Sequence, residues 1–107
     1  MKKYLKKGED YYKNKISKNI IYAIKMENRN IYKIGHSANI NTLKRRLTSL
    51  QSGNPYNLTI YKTIKKQNAE RFERLIHREL KNYRMSGEWF KVTKKHLNEA
   101  MTLMTLR

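Results

Sequence analysis

The chain has 107 residues, enough for one domain, and carries 25 Lys and Arg against 8 Asp and Glu, a net charge of +17. It has no cysteine, which excludes disulfide scaffolds, thiolate zinc sites and cysteine nucleophiles. Its longest apolar run, residues 20–24, is far shorter than the ~18 residues needed to cross a bilayer, and residues 1–10 lack the apolar stretch of a signal peptide, so a cytoplasmic protein (nuclear or in a viral factory if from a eukaryotic virus), not a secreted one, is expected.

Residues 1–19 hold Lys2, Lys3, Lys6, Lys7, Lys13, Lys15 and Lys18 among few apolar positions and read as a basic arm, either with one short helix or as a disordered tail. Residues 20–107 read as a single domain. The β-branched and aromatic run 20–26 predicts a strand, 27–30 a polar turn and 31–35 a second strand, together a hairpin. Ile40, Leu43, Leu47 and Leu50 recur at helical spacing over 39–51, with Gly53 and Pro55 as stop signals. Residues 58–64 predict a strand with Leu58, Ile60 and Ile64 on one face. Ala69, Phe72, Ile76, Leu80 and Tyr83 predict a helix over 67–83. A turn at Ser86-Gly87 leads to a short strand over 88–92, whose Trp89 and Phe90 read as core. Thr93 then caps a last helix, 93–106, with Leu97, Ala100, Met101 and Met104 inward. The expected class is α+β: a small, mainly antiparallel three-stranded sheet in β-β-α-β-α order, flanked by helices, with an added short strand and a C-terminal helix.

The strong positive field points to a polyanionic partner, and nucleic acid is the commonest. Eight tyrosines add stacking surfaces. The plainer alternative is a solvated basic surface inflated by A/T-biased coding. A membrane partner is not expected, because no long amphipathic helix carries Trp and Phe on one side. On a helical wheel Arg46 lies roughly 80° from the apolar centre of its helix, at the edge of the buried face. Arg45 lies almost opposite and, with Lys44, suits phosphate contact or plain surface. Glu73 sits roughly 75° from the apolar centre of the long helix, with His77 one turn later. A carboxylate at such a rim could hold a hard cation or pair with Arg46 or a lysine. Lys33 is unusual in a strand of Ile and Tyr, and either protects a sheet edge or acts on phosphate or on a neighbouring tyrosine. Glu88 reads as an exposed strand carboxylate or a supporting acid, and His96 as surface.

Taken together, Ile20-Ile21-Tyr22, Lys33-Ile34-Gly35, Arg46-Leu47 and Glu73 resemble the GIY-YIG nuclease superfamily. Tyr32-Lys33-Ile34-Gly35-His36-Ser37, the run from Arg46 to Pro55, Glu73-Arg74-Leu75-Ile76-His77 and Gly87-Glu88-Trp89-Phe90 resemble one branch of it, from phages, plasmids and large DNA viruses, also known from a meiotically up-regulated fungal gene. The resemblance covers about 20–92. Ile20 stands where the superfamily usually has Gly, and Lys33 where it usually has Tyr. Lysine there is usual for the branch and also resembles restriction enzymes that pair it with a histidine, here His36. Asn82 is the candidate for an asparagine that many members carry.

The resemblance implies a DNA endonuclease using one Mg²⁺ or Mn²⁺ on Glu73. Tyr22, its pKa lowered by Lys33 and the metal, is implied as general base, and Arg46 as the ligand of the scissile phosphate. His36 would orient water, bind phosphate or serve as an alternative base. His77 would support the site from behind. Lys33, Lys44 and Arg45 are the candidate nucleic-acid contacts. Single- and double-stranded DNA are both open as substrate, and a homodimer is one source of sequence specificity. Two rivals stand beside this reading: a nucleic-acid-binding module of the same fold without turnover, and a charged interaction protein of a mobile element.

Overall fold

The computed structural model describes residues 20–106, so the basic arm expected over 1–19 lies outside the described residues. Strands β1 (Ile20–Met26) and β2 (Ile31–Ser37) form the expected hairpin. Helix α1 (Ile40–Ser52) follows, then β3 (Leu58–Lys65), α2 (Ala69–Glu79), a 3₁₀ turn (Lys81–Tyr83), β4 (Arg84–Ser86), β5 (Trp89–Lys91) and α3 (Lys94–Thr105). The class is α+β. The sheet is antiparallel throughout, in the order β3-β1-β2-β5-β4.

Five strands stand where three and one short addition were expected. The extra strand, β4, is three exposed residues, Arg84-Met85-Ser86, with no apolar alternation to announce it. It pairs with β5 through a turn in which Gly87 takes φ 55°, a conformation that costs glycine little.

Strand β1 is central and covered on both faces, which is why Ile20–Ile24 reads as a continuous apolar run rather than an alternation. Ile20, Tyr22 and Ile24 face α1 and pack with Leu43 and Leu58. Ile21 and Ala23 face α2 and α3 and pack with Ile34, Ile76, Phe90, Leu97 and Met101. Each such side chain contributes about 1.5–3 kcal/mol of hydrophobic stabilisation.

Helix ends follow local chemistry. The Asn39 side chain accepts from the Thr42 N–H at 2.8 Å, and Thr93 Oγ1 accepts from the His96 N–H at 3.1 Å. Helix α2 is shorter than the expected 67–83. Asn68 before it is left-handed at φ 58°, and after Glu79 the chain tightens into the 3₁₀ turn, which leaves Tyr83 exposed. Ile40, expected on the buried stripe of α1, is also exposed at the first position of the helix.

A bulge places Tyr61 as an extra residue opposite the Ala23/Ile24 step of β1. Leu58 and Ile60 therefore pack on the α1 face, while Tyr61 and Ile64 pack on the opposite face, not all on one as expected. Among the described residues no helix is long and apolar enough to cross a membrane.

Candidate active site

The site forms where β2 outruns its partner. Strand β5 pairs with β2 only over Ile31–Lys33, with one further bond from the Ile34 N–H to the Glu88 carbonyl at 3.0 Å. Beyond it the edge of β2 is met by α2: the Ile34 carbonyl lies 2.8 Å from His77 Nε2. The polar end of α2 is thereby set against Gly35 and His36.

Gly35 lies opposite Tyr22 in the β1–β2 register. A side chain at Gly35 would overlap the Tyr22 hydroxyl and the outer end of its ring. Tyr22 thus lies across the glycine and carries its hydroxyl toward the β2 edge while remaining fully buried. Arg46 reaches it from α1 and donates from Nη1 to the Tyr22 hydroxyl at 3.3 Å.

His36, one residue on, faces the other side of the sheet, where Glu73 waits on α2. Its Nδ1 is 2.5 Å from Glu73 Oε1, and His77 Nε2 is 3.6 Å from Glu73 Oε2. The carboxylate is buried. It pairs with histidine rather than with Arg46 or a lysine. The His77 ring packs edge-on against Phe90 with centroids 4.8 Å apart.

Burial is the first influence on both acids of the site. It pushes the Glu73 carboxyl above its ordinary range, opposed by the hydrogen bond from His36 and reinforced by the charge of Glu88. It likewise pushes the Tyr22 phenol up, opposed by the hydrogen bond and charge of Arg46. The expectation that Lys33 lowers the Tyr22 pKa is therefore corrected. Lys33 pairs instead with Glu88, Nζ to Oε1 at 3.1 Å, with its ammonium 5.8 Å from the Trp89 ring centroid. The cation on Tyr22 is Arg46.

The other candidates disperse. Lys44 and Arg45 are exposed on α1, and Arg45 donates to Thr42 of its own helix at 3.4 Å. Asn82 lies in the exposed 3₁₀ turn. His96 packs edge-on against Tyr83. Trp89, expected in the core, is only half-buried on the α1 face, whereas Phe90 is fully buried. Glu88 was undervalued: it is half-exposed at the rim of the site and anchors Lys33. The signal available for it was the pairing of Lys33 with Trp89 across β2 and β5, which brings the acid preceding Trp89 beside Lys33.

Among the described residues no three His, Asp or Glu side chains converge as a metal-ligand set. A single carboxylate does not suit zinc, which takes three or four protein ligands. It does fit Mg²⁺ or Mn²⁺, hard ions that keep several waters and complete their shell with substrate phosphate oxygens.

A protein-family model described as the T5orf172 domain matches residues 19–105. No curated protein and no solved structure matches the chain.

Proposed function

The chain belongs to the T5orf172 domain family, a phage-associated domain with a GIY-YIG/HNH-like nuclease fold, and from this we propose that it is a small divalent-metal-dependent endonuclease hydrolysing DNA phosphodiester bonds. The Tyr32-Lys33-Ile34-Gly35 strand supports the further proposal that it is a GIY-YIG enzyme of the branch with lysine in the second motif. The observation that carries the proposal is the buried Glu73 carboxylate set beside His36, with the Tyr22–Arg46 pair across Gly35. A protein that only binds nucleic acid gains nothing from a desolvated acid facing phosphates.

Each residue then has a task. Glu73 would hold Mg²⁺ or Mn²⁺, which when bound supplies Lewis-acid stabilisation of the phosphate charge and of the leaving oxygen. Arg46, while one of its donors stays on the Tyr22 hydroxyl, turns others to the scissile phosphate and offsets charge in the transition state, a contribution of the order of 10²–10³ in rate for such groups. Tyr22, as the phenolate, accepts the proton of the attacking water as that oxygen bonds to phosphorus and the bond to the departing sugar oxygen breaks. Its buried phenol resists ionisation, so the Arg46 guanidinium and alkaline pH both favour this role. His36 orients the Glu73 carboxylate and stands ready as an alternative base. His77 braces the same carboxylate from the next turn of the helix. Lys33, Lys44 and Arg45 contribute phosphate contacts on either side.

The test is cleavage of labelled single- and double-stranded DNA in Mg²⁺ or Mn²⁺. Cutting that vanishes with EDTA supports the proposal. Salt-sensitive binding without cutting on any substrate contradicts it and leaves the non-catalytic binding module.

A further inference from the structure

On the α1 face of the sheet, the Tyr22–Gly35 rung is followed by Ile24, Lys33 and Trp89, and then by Met26 and Ile31. At that far end lies a groove of about 360 Å³, bounded by Met26, Arg29, Ile31, Tyr56, Met85 and Trp89. It begins roughly 13 Å along β2 from Gly35, by the ~3.3 Å rise of each strand residue. The proposed catalytic residues do not use it.

The groove is built rather than incidental. Arg29 holds its guanidinium 4.2 Å from the centroid of the Tyr56 ring. Both come from turns that are stitched together. The Glu27 N–H donates to the Asn57 carbonyl at 2.7 Å, and the Asn57 N–H donates to the Glu27 carboxylate at 3.2 Å. Gln51 donates to the Asn54 and Tyr56 carbonyls and accepts from the Leu58 N–H at 2.7 Å. The Tyr56 N–H donates to the Asn54 side chain at 2.9 Å. The exposed Met85 of β4 closes the outer side.

We infer that this groove receives an unstacked nucleobase of the strand whose phosphate lies at Tyr22 and Arg46, a nucleotide or two away. The inference rests on the nuclease reading for the position of that phosphate. Aromatic walls offer a π-face to any base, a guanidinium stacks on bases as it does on Tyr56, and thioethers fill an irregular apolar floor. Lys33, between the two ends, faces the connecting backbone once Glu88 releases it. The complement is a flat, apolar-faced ring on an anionic tether. A protein partner would not require the cations that flank the groove on this side.

Trp89 is the chain's one tryptophan and reports on the groove directly. In EDTA, so that no strand is cut, the full-length protein is titrated with two single-stranded oligonucleotides of equal length, one bearing bases throughout and the other a run of abasic positions. Their phosphates are the same, so charge contacts cancel. The base-bearing strand is expected to quench Trp89 and to bind about 10-fold more tightly than the abasic one, within the range for base–aromatic stacking. Tyr56→Leu narrows that gap to about 2-fold while leaving affinity for the abasic strand unchanged, whereas Arg29→Met narrows it and also weakens binding of both strands through its lost charge. Equal affinity and equal emission for the two strands overturn the base site while leaving metal-dependent cleavage as a separate question. Absence of binding to either strand likewise overturns the base site, and cleavage in Mg²⁺ decides the nuclease reading by itself. Base-dependent quenching without any cleavage in Mg²⁺ upholds the groove and removes the nuclease reading alone.

Discussion

At Gly35 the missing side chain is what lets the Tyr22 ring cross β2 and reach Arg46. A methyl there meets a fully buried ring that has no free space to enter, so Gly35→Ala is expected to destabilise the fold by about 1–3 kcal/mol, read as a lower urea midpoint with an unchanged slope. Glu73 gives a second residue-scale prediction with its sign set by burial. Its native pKa lies above the ordinary carboxylate value of 4.5, so the folded state holds this proton more tightly than the unfolded chain does. The contribution of the protonated acid is complete below the unfolded pKa and is lost as pH rises through the native one. In metal-free buffer at neutral pH, Glu73→Gln is therefore expected to raise stability by ~0.5–2 kcal/mol, a stability–function trade-off, and to flatten the dependence of the urea midpoint on pH just above the carboxylate range. A midpoint that falls on substitution would mean that the His36 contact outweighs desolvation. The same raised pKa predicts that apparent Mg²⁺ affinity falls on acidification at a pH above that of an ordinary glutamate, since proton and cation compete for one carboxylate.

At the scale of elements, the helices are the most legible part of the sequence because their boundaries are set by neighbouring residues. Asn39 and Thr93 cap α1 and α3, and Gly53 ends α1. Thr93→Ala removes one N-cap bond and is expected to cost about 1 kcal/mol, measured by urea unfolding. The hairpin was equally readable, from two β-branched runs around a polar turn. What was not readable depends on pairing. Nothing between Tyr61 and Ile64 marks the bulge that turns Ile64 to the opposite face, because the extra residue exists only relative to β1. Strand β4 is exposed and brief, and its identity comes from β5 beside it. Ile40 and Tyr83 matched a helical stripe but are exposed, one at the first position of α1 and the other in the 3₁₀ turn after α2.

At the scale of the molecule, the candidate site is a long-range assembly, and this limits how much of it a sequence discloses. Wheel geometry put Arg46 and Glu73 at the edges of their helices, as found. The contact between His36 and Glu73 joins residues 37 apart, and nothing local says that the acid's partner is a histidine rather than Arg46. Likewise Lys33 was assigned to Tyr22 by its place in the motif, whereas the β2–β5 register gives it to Glu88. Net charge, by contrast, is a whole-chain property read without any structure. With +17 on 107 residues, DNA binding should weaken steeply with salt, by about 10³-fold or more between 50 and 200 mM if six or more phosphates are neutralised. A shallow salt slope would contradict the electrostatic account of affinity.

The central claim is that Glu73 carries the chemistry and not the grip. The most direct measurement is the single-turnover cleavage rate of Glu73→Gln beside the wild-type protein, in Mg²⁺ with protein saturating and in excess over DNA, and with DNA affinity measured on both. The expected rate is at least ~10³-fold lower in the variant, with affinity changed by no more than about 3-fold. A variant that cuts at the wild-type rate would contradict it.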